Sequence, residues 1–231
     1  MESSPEKRQP FENPGGIVRT RVKICGITRP GDARAAADAG ADAIGLVFYP
    51  PSPRYLSVER ALEIRDALPP FVQTVALFVN PDAAQVAQVI GRVRPAMLQF
   101  HGEETPRFCD EFGLPYIKAC RVKGGVKGGV SSGVDLLEYL RPFSRAAAWL
   151  LDSHVEEYGG VGESFDWSLA PAVRERPLVL SGGLTPGNVA EAIRRVRPWG
   201  VDVSSGVESA KGIKDAAKIA AFVAEVRNAN V

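Results

Sequence analysis

Two short turns late in the chain have the composition of a phosphate-binding site. Gly182 and Gly183 follow one apolar run, and Ser205 and Gly206 follow the next. Glycines let backbone N–H groups approach an anion near the start of a helix. Two such turns in succession favour a phosphorylated substrate, with simple tight turns as the alternative.

A cysteine and an aspartate also stand at the ends of apolar runs. Cys25 ends a run directly before Gly26, and Asp152 follows the run Ala146–Leu151. An isolated cysteine usually serves as a small buried apolar residue, and an aspartate often caps a turn. Their position at the ends of predicted strands in an α/β pattern favours a functional role for both.

A parallel sheet would position these residues. Short β-branched runs alternate with alanine-rich helical patterns from residue 21 onwards, as in repeated βα units. Eight such units favour a single-domain α/β fold, the (β/α)8 TIM barrel, over a doubly wound sheet, and a barrel carries its active site at the carboxyl ends of the strands. The strand candidates are Val22–Cys25, Ala43–Phe48, Thr74–Val79, Met97–His101, Tyr116–Arg121, Ala147–Asp152, Leu178–Ser181 and Val201–Ser204.

Prolines after polar residues mark three predicted helix starts, because the missing N–H costs nothing at the first helical position. The predicted helices are Pro30–Ala39, Val58–Ala67, Pro81–Val93, Thr105–Phe112, Val134–Leu140, a short one near Asp166–Val173, Pro186–Val196 and Lys214–Arg227. The glycine-rich segment Lys123–Gly133 predicts a flexible loop after the fifth strand, since so many glycines forfeit backbone order.

Composition narrows the class of protein. Of 231 residues, 28 are basic and 27 acidic, and the charges are interspersed, so the chain lacks the basic face that nucleic-acid binding needs. No apolar run is long enough for a membrane span. Residues 1–16 lack the apolar stretch of a signal peptide, and residues 1–20 are predicted to be a mobile tail before a barrel domain at 21–231.

Cysteine usage predicts a reduced setting and no metal site. Cys25, Cys109 and Cys120 are widely spaced, and only His101 and His154 could add nitrogen ligands. Cys109 and Cys120 are therefore expected to pack in the core. A cytoplasmic location follows as an expectation.

Seven motifs in order carry a family resemblance that covers nearly all of residues 21–228. Each is modestly informative alone, but the series closely resembles the phosphoribosylanthranilate isomerase family of tryptophan biosynthesis. The motifs are KICGIT (Lys23–Thr28), GADAIGLVFYPPSPRYLS (Gly40–Ser57), LQFHGEE (Leu98–Glu104), LLDS (Leu150–Ser153), GGVGESFDW (Gly159–Trp167), LSGGLTPGNV (Leu180–Val189) and VDVSSGVESAKGIKD (Val201–Asp215).

The resemblance implies an Amadori rearrangement of N-(5-phosphoribosyl)anthranilate from aminoaldose to aminoketose, with no metal or redox cofactor required. It implies Cys25 as general base and Asp152 as general acid. A thiolate is a competent base once cations or N–H groups lower its pKa, and a carboxyl in an apolar wall can stay protonated near neutrality. Lys23 shares a strand face with Cys25 one layer deeper, so it is expected either to contribute to the electrostatics or to fill the core.

The resemblance also implies substrate contacts. The guanidinium of Arg54 could hold the anthranilate carboxylate with two hydrogen bonds, although an arginine in a proline-rich loop can equally be solvated. Gln99 and His101 share a strand face and are expected to line the site, with a structural histidine as the alternative. Asp202 could contact a sugar hydroxyl or orient neighbouring groups.

The segment Ser153–Phe165 is predicted to be a mobile lid because of its glycines. Here the chain departs from the family pattern, since Val161 replaces the usual threonine or serine and Glu163 replaces a frequent lysine. These departures put the contacts of this loop with substrate in doubt.

Three other functions fit the sequence less well. The similar isomerase of histidine biosynthesis would need an aspartate where Cys25 stands, and indole-glycerol-phosphate synthase needs a catalytic lysine and glutamate set that this chain does not offer. A non-catalytic phosphosugar sensor would not need both Cys25 and Asp152. The expected partner is therefore a small phosphorylated amino-sugar, with no nucleic acid or membrane, and the chain is expected to be a monomer or homodimer.

Overall fold

A computed structural model describes residues 19–122, 133–153, 167–171 and 175–229. Eight parallel strands close into a barrel in which each strand pairs with the next along the chain and the last pairs with the first. The predicted single-domain (β/α)8 barrel is therefore confirmed. The barrel strands are β1 (Arg21–Cys25), β2 (Ala43–Val47), β3 (Gln73–Phe78), β4 (Met97–Phe100), β5 (Tyr116–Val122), β6 (Ala148–Ser153), β7 (Leu178–Leu180) and β8 (Gly200–Val203).

Helices connect most of the strands and cover the outside of the barrel. Single turns of 3-10 helix lie at Trp167–Leu169 and Ser205–Val207. A short antiparallel hairpin, β9 (Glu208–Ala210) with β10 (Ile213–Lys214), follows β8 and was not predicted. The α-helices are α1 (Pro30–Ala39), α2 (Val58–Asp66), α3 (Ala83–Val93), α4 (Pro106–Asp110), α5 (Gly133–Leu140), α6 (Val189–Val196) and α7 (Ala216–Asn228).

Three predicted helix starts are too early, and at two of them the observed start is set by the side-chain cap of an aspartate. Pro30 does begin α1, as predicted. In contrast, α3 begins after Asp82, whose carboxylate accepts from the backbone N–H of Gln85, so Pro81 lies outside the helix. Pro186 likewise lies before α6.

The last helix begins later than predicted for the same reason. Asp215 caps α7 by accepting from the backbone N–H of Lys218. Lys214 belongs to β10 instead, and its backbone N–H donates to Asp32 on α1. An aspartate next to a helical pattern was therefore the better start signal.

Side chains alternate between the two sides of the barrel wall, as a strand period of two requires. Outward residues form the main core with the helices, and Cys109 and Cys120 belong to it, as predicted. Inward residues of β5, β6 and β7 form an apolar group, here called the lower interior layer, whose members are Ile117, Ala119, Ala148, Leu150 and Val179.

Some sequence-based predictions concern residues outside the described part of the chain. These are the predicted tail up to residue 18, the glycine-rich segment at 123–132, and the predicted lid at 154–165, with His154, Val161 and Glu163. Within the described ranges, no helix is both long and apolar enough to cross a bilayer.

Candidate active site

A cavity opens at the carboxyl ends of the barrel strands, where the sequence placed the chemistry. It brings together nine of the ten predicted site residues. Gly206 is the exception and does not line the wall. The predicted residues that do so are Cys25, Arg54, Gln99, His101, Asp152, Gly182, Gly183, Asp202 and Ser205.

Cys25 is the last residue of β1 and is buried, with an exposed fraction of 5%. Burial raises the pKa of its thiol above the ordinary value, Lys23 opposes this effect, and Asp202 reinforces it. The sequence argument for a lowered thiol pKa therefore needs correction. A nearby cation is present, but burial outweighs it, so the free protein carries mainly the neutral thiol.

Lys23 lies below Cys25 on the same face of β1, and its ammonium reaches the same region. Lys23 Nζ donates to Asp202 Oδ1 at 2.8 Å, and both side chains are buried. A Cβ on Gly45 would lie 2.6 Å from Cys25 Sγ and 3.1 Å from Lys23 Nζ. Both atoms thus converge over Gly45, within about 6 Å of each other, close enough for one charge to shift the pKa of the other group.

A hydrogen-bonded chain joins Gln99, His101 and Asp152. Gln99 Nε2 lies 3.2 Å from His101 Nδ1, and His101 Nε2 lies 3.0 Å from Asp152 Oδ2. Both ring nitrogens of His101 are thus engaged within the site, one with Gln99 and the other with Asp152. Asp152 itself lines the cavity.

Arg54 was predicted to bind a substrate carboxylate, but two of its nitrogens bind a carboxylate of the protein itself. Arg54 Nε and Nη2 each donate to Glu208 at 2.7 Å, and both residues are buried. Lys214 Nζ donates to the same carboxylate at 2.8 Å. Burial alone raises the pKa of Glu208, yet Arg54 and Lys214 hold it below the ordinary value, so Glu208 is ionised.

The turns after β7 and β8 form the remaining wall of the cavity. Gly182 and Gly183 have φ values of 82° and 64°, in the left-handed region that favours glycine. Gly206 lies behind the wall, where a Cβ would be 1.9 Å from the backbone oxygen of Leu184. It therefore allows the two turns to touch, which is a different role from the direct anion contact that was predicted.

Sequence reasoning missed several residues at this site. Arg121, inward on β5, lines the cavity and donates to the His101 carbonyl at 3.3 Å. The alternation Ile117, Ala119, Arg121 would have shown that it points inward. Glu208 and Lys214 had no such local signal. No group of metal-binding side chains occurs in the described residues, and the predicted lack of a cofactor stays a prediction.

The chain is similar to known isomerases over most of its length. Residues 22–225 match the family model described as N-(5'-phosphoribosyl)anthranilate (PRA) isomerase. The N-(5'-phosphoribosyl)anthranilate isomerase of Leptothrix cholodnii is 54% identical over 213 residues, which cover 92% of this chain and 93% of the relative.

Two solved structures support the same relationship. A phosphoribosyl anthranilate isomerase from Thermotoga maritima is 42% identical with a TM-score of 0.79, covering 90% of this chain and 99% of that one. A second isomerase, in complex with reduced 1-(o-carboxyphenylamino)-1-deoxyribulose 5-phosphate, is 40% identical with a TM-score of 0.76 and the same coverage. The sequence match, the barrel and the cavity agree, and the chain belongs to the N-(5'-phosphoribosyl)anthranilate isomerase family.

Proposed function

We propose that this chain isomerises N-(5-phosphoribosyl)anthranilate to 1-(2-carboxyphenylamino)-1-deoxyribulose 5-phosphate, with Cys25 as general base and Asp152 as general acid. Membership of the isomerase family supports the reaction. The observation that carries the residue assignment is that a thiol and a carboxyl share one cavity with the turns after β7 and β8.

Ring opening is assigned to Asp152. Its carboxyl proton passes to the furanose ring oxygen as the bond from C1 to that oxygen breaks, and the anthranilate nitrogen supplies the electron pair that forms the C=N bond. Asp152 Oδ1 suits this step because Oδ2 is already held by His101 Nε2. The step leaves an aspartate carboxylate and a protonated imine.

Proton removal is assigned to Cys25. Its thiolate takes the proton from C2, and the electron pair of that bond neutralises the imine to give an enolamine. The enolamine then gains a proton at C1 and loses the proton of the C2 hydroxyl, so the product is an isomer of the substrate. No atom is gained or lost overall: one C–O bond breaks on ring opening, and the remaining steps are proton transfers.

The two ends of the substrate are assigned to opposite parts of the cavity. The phosphate fits the glycine and serine turns after β7 and β8, the usual place in this fold. The anthranilate ring fits the apolar wall of Val47, Leu77 and Val79 near Arg54. Because Glu208 takes Nε and Nη2 of Arg54, we assign the carboxylate contact to the Nη1 side of the guanidinium.

A turnover assay tests this function directly. Freshly prepared phosphoribosylanthranilate should be consumed by the purified chain in proportion to protein concentration, and the product should be the aminoketose. Binding without turnover would instead identify a phosphosugar sensor. The cytoplasmic location and the choice between monomer and homodimer remain predictions.

Gly206→Ala is expected to weaken phosphate binding. The added Cβ would meet the Leu184 backbone, so the two turns must separate. A displacement of about 1 Å can cost on the order of 10²-fold in an enzyme. We therefore expect KM to rise by about tenfold or more. The fall in kcat should be smaller, because the phosphate contacts are made in both the ground state and the transition state.

Gly187→Ala is the matched control for this substitution. Gly187 lies in the turn before α6, and a Cβ there would make only an ordinary contact with Thr185 Oγ1 at 3.7 Å. Titration with inorganic phosphate should show weaker binding for Gly206→Ala alone. Equal phosphate affinity in the two variants would remove the turn after β8 from the site.

Arg54→Lys should preserve charge yet lower kcat/KM markedly. A lysine cannot bridge Glu208 with two nitrogens and also present a third to the substrate. Steady-state kinetics should show the loss mainly in KM if the contact is equal in both states. Unchanged kcat/KM in a folded variant would show that Arg54 serves only the buried ion pair.

A further inference from the structure

The proposed mechanism requires the thiolate form of Cys25. Cys25 must lose its proton to act as a base, yet burial raises the pKa of this thiol. A group that favours the thiolate must therefore lie close to the sulfur. The charged side chains that act on it come from four elements: Lys23 on β1, Asp202 on β8, Lys214 on β10 and Arg54 in the loop after β2.

Two of the three cations form hydrogen bonds with groups other than Cys25. Arg54 donates twice to Glu208, and Lys214 donates to Glu208 and to the backbone oxygen and hydroxyl of Ser204. Both contacts hold the cations at the hairpin and the turn after β8. Glu208, which is ionised, lies between the two cations and balances one of their two positive charges.

Lys23 differs from these cations in its position. Its ammonium donates a hydrogen bond to Asp202, and it converges with Cys25 Sγ over Gly45. Burial alone would lower the pKa of Lys23, but Asp202 and Cys25 together raise it above its ordinary value, so it stays charged. Only 6% of Lys23 is exposed, and its charged ammonium lies near the sulfur. An apolar side chain would fill this space equally well, so the charge points to a role beyond packing.

We propose that Lys23 is the positioning residue that stabilises the thiolate of Cys25, and that Asp202 moderates this effect by balancing the ammonium charge. The inference rests on the proposed role of Cys25 as the base. It makes Lys23 and Asp202 act in opposite directions on one proton. A pair that only filled the barrel would not have opposite effects on the thiol.

The test is a titration of the Cys25 thiolate in the free protein, followed by its ultraviolet absorbance. Each variant is compared with the same variant carrying Cys25→Ser, so that tyrosine ionisation cancels. Burial raises the pKa of Cys109 and of Cys120 to about 12, which keeps these two thiols protonated over most of the range.

Opposite shifts are expected. Lys23→Met should move the midpoint to higher pH by about 1–3 pH units, the effect of losing one nearby opposite charge. Asp202→Asn should move it to lower pH, because the ammonium is then unbalanced. Lys23→Arg keeps the charge and should bring the midpoint back toward that of the wild type. The rising limb of kcat/KM against pH should follow the same order.

Lys118→Met is the matched control. Lys118 is also a fully buried strand lysine paired with a carboxylate, since its Nζ lies 2.7 Å from Glu104 Oε2, but it faces the helices rather than the cavity. It should lose stability as Lys23→Met does, without moving the Cys25 midpoint. If Lys23→Met does not fold, the double variant Lys23→Met/Asp202→Asn should have a higher midpoint than Asp202→Asn alone.

The outcomes separate this inference from the proposed function. Shifts of opposite sign support it, even if Cys25→Ser were to retain activity and the base were found elsewhere. An unmoved midpoint, or the same direction in Lys23→Met and Asp202→Asn, overturns it, even where Cys25→Ser is inactive.

Discussion

Replacing Cys25 with serine should lower kcat by about 10²–10⁴-fold, the usual contribution of a positioned base. A serine hydroxyl is much harder to ionise than a thiol, so little alkoxide forms at any accessible pH. Phosphate affinity should stay close to that of the wild type, because the turns after β7 and β8 do not depend on the sulfur. Steady-state kinetics with inorganic phosphate as a competitor would measure both quantities.

The pH dependence gives this prediction a second measurement. As the proposed base, Cys25 must be deprotonated to act, and burial raises its pKa above the ordinary value. The active thiolate is therefore a minor species at neutral pH, and kcat/KM should rise with pH through the ordinary thiol range toward the raised pKa. Cys25→Ser should lose or displace this limb.

Cys120→Ser is the matched thiol control. Cys120 is equally buried but packs against the helices outside the barrel. Its substitution should cost stability and leave kcat and the pH profile unchanged. Full activity with an unchanged pH profile in Cys25→Ser would return Cys25 to a packing role and leave the mechanism without its base.

Replacing Asp152 with asparagine should lower kcat by a similar factor of about 10²–10⁴, because an amide cannot deliver a proton to the ring oxygen. Asparagine has nearly the same shape, so the fold and the phosphate turns should persist. Asp42→Asn is a control at the other end of the barrel, where Asp42 pairs with exposed Arg19. That variant should keep the wild-type kcat.

Deuterium at C2 of the substrate distinguishes the acid from the base. Ring opening precedes removal of the C2 proton, so Asp152→Asn should make ring opening rate-limiting and suppress the isotope effect. Cys25→Ser should instead show it in full, because proton removal itself is slowed. A full isotope effect in Asp152→Asn would assign Asp152 to a step other than ring opening.

The barrel and the place of its active site were predictable because they follow from short-range patterns. Runs of period two between helical patterns define the strands, and parallel strands must present their carboxyl ends together. That is why Cys25, His101 and Asp152, far apart in the chain, were expected in one cavity and are found there.

What could not be predicted depends on contacts between distant elements. The strands β9 and β10 have only three and two residues, too few for a hydrophobic period to show. Glu208 therefore gave no sign that it would take two donors of Arg54. The burial of Cys25 also reverses the expected direction of its pKa, and burial is a property of the whole barrel mouth rather than of one strand.

The lower interior layer has a consequence for how such a protein can change. Its five apolar side chains pack together and contribute no group to the cavity wall. The residues that form this apolar packing are thus different from those proposed to bind and convert the substrate. Substitutions at the strand ends can therefore change the reaction while the lower interior layer stays the same. The capacity to evolve and the tolerance of mutation thus depend on different residues of one barrel.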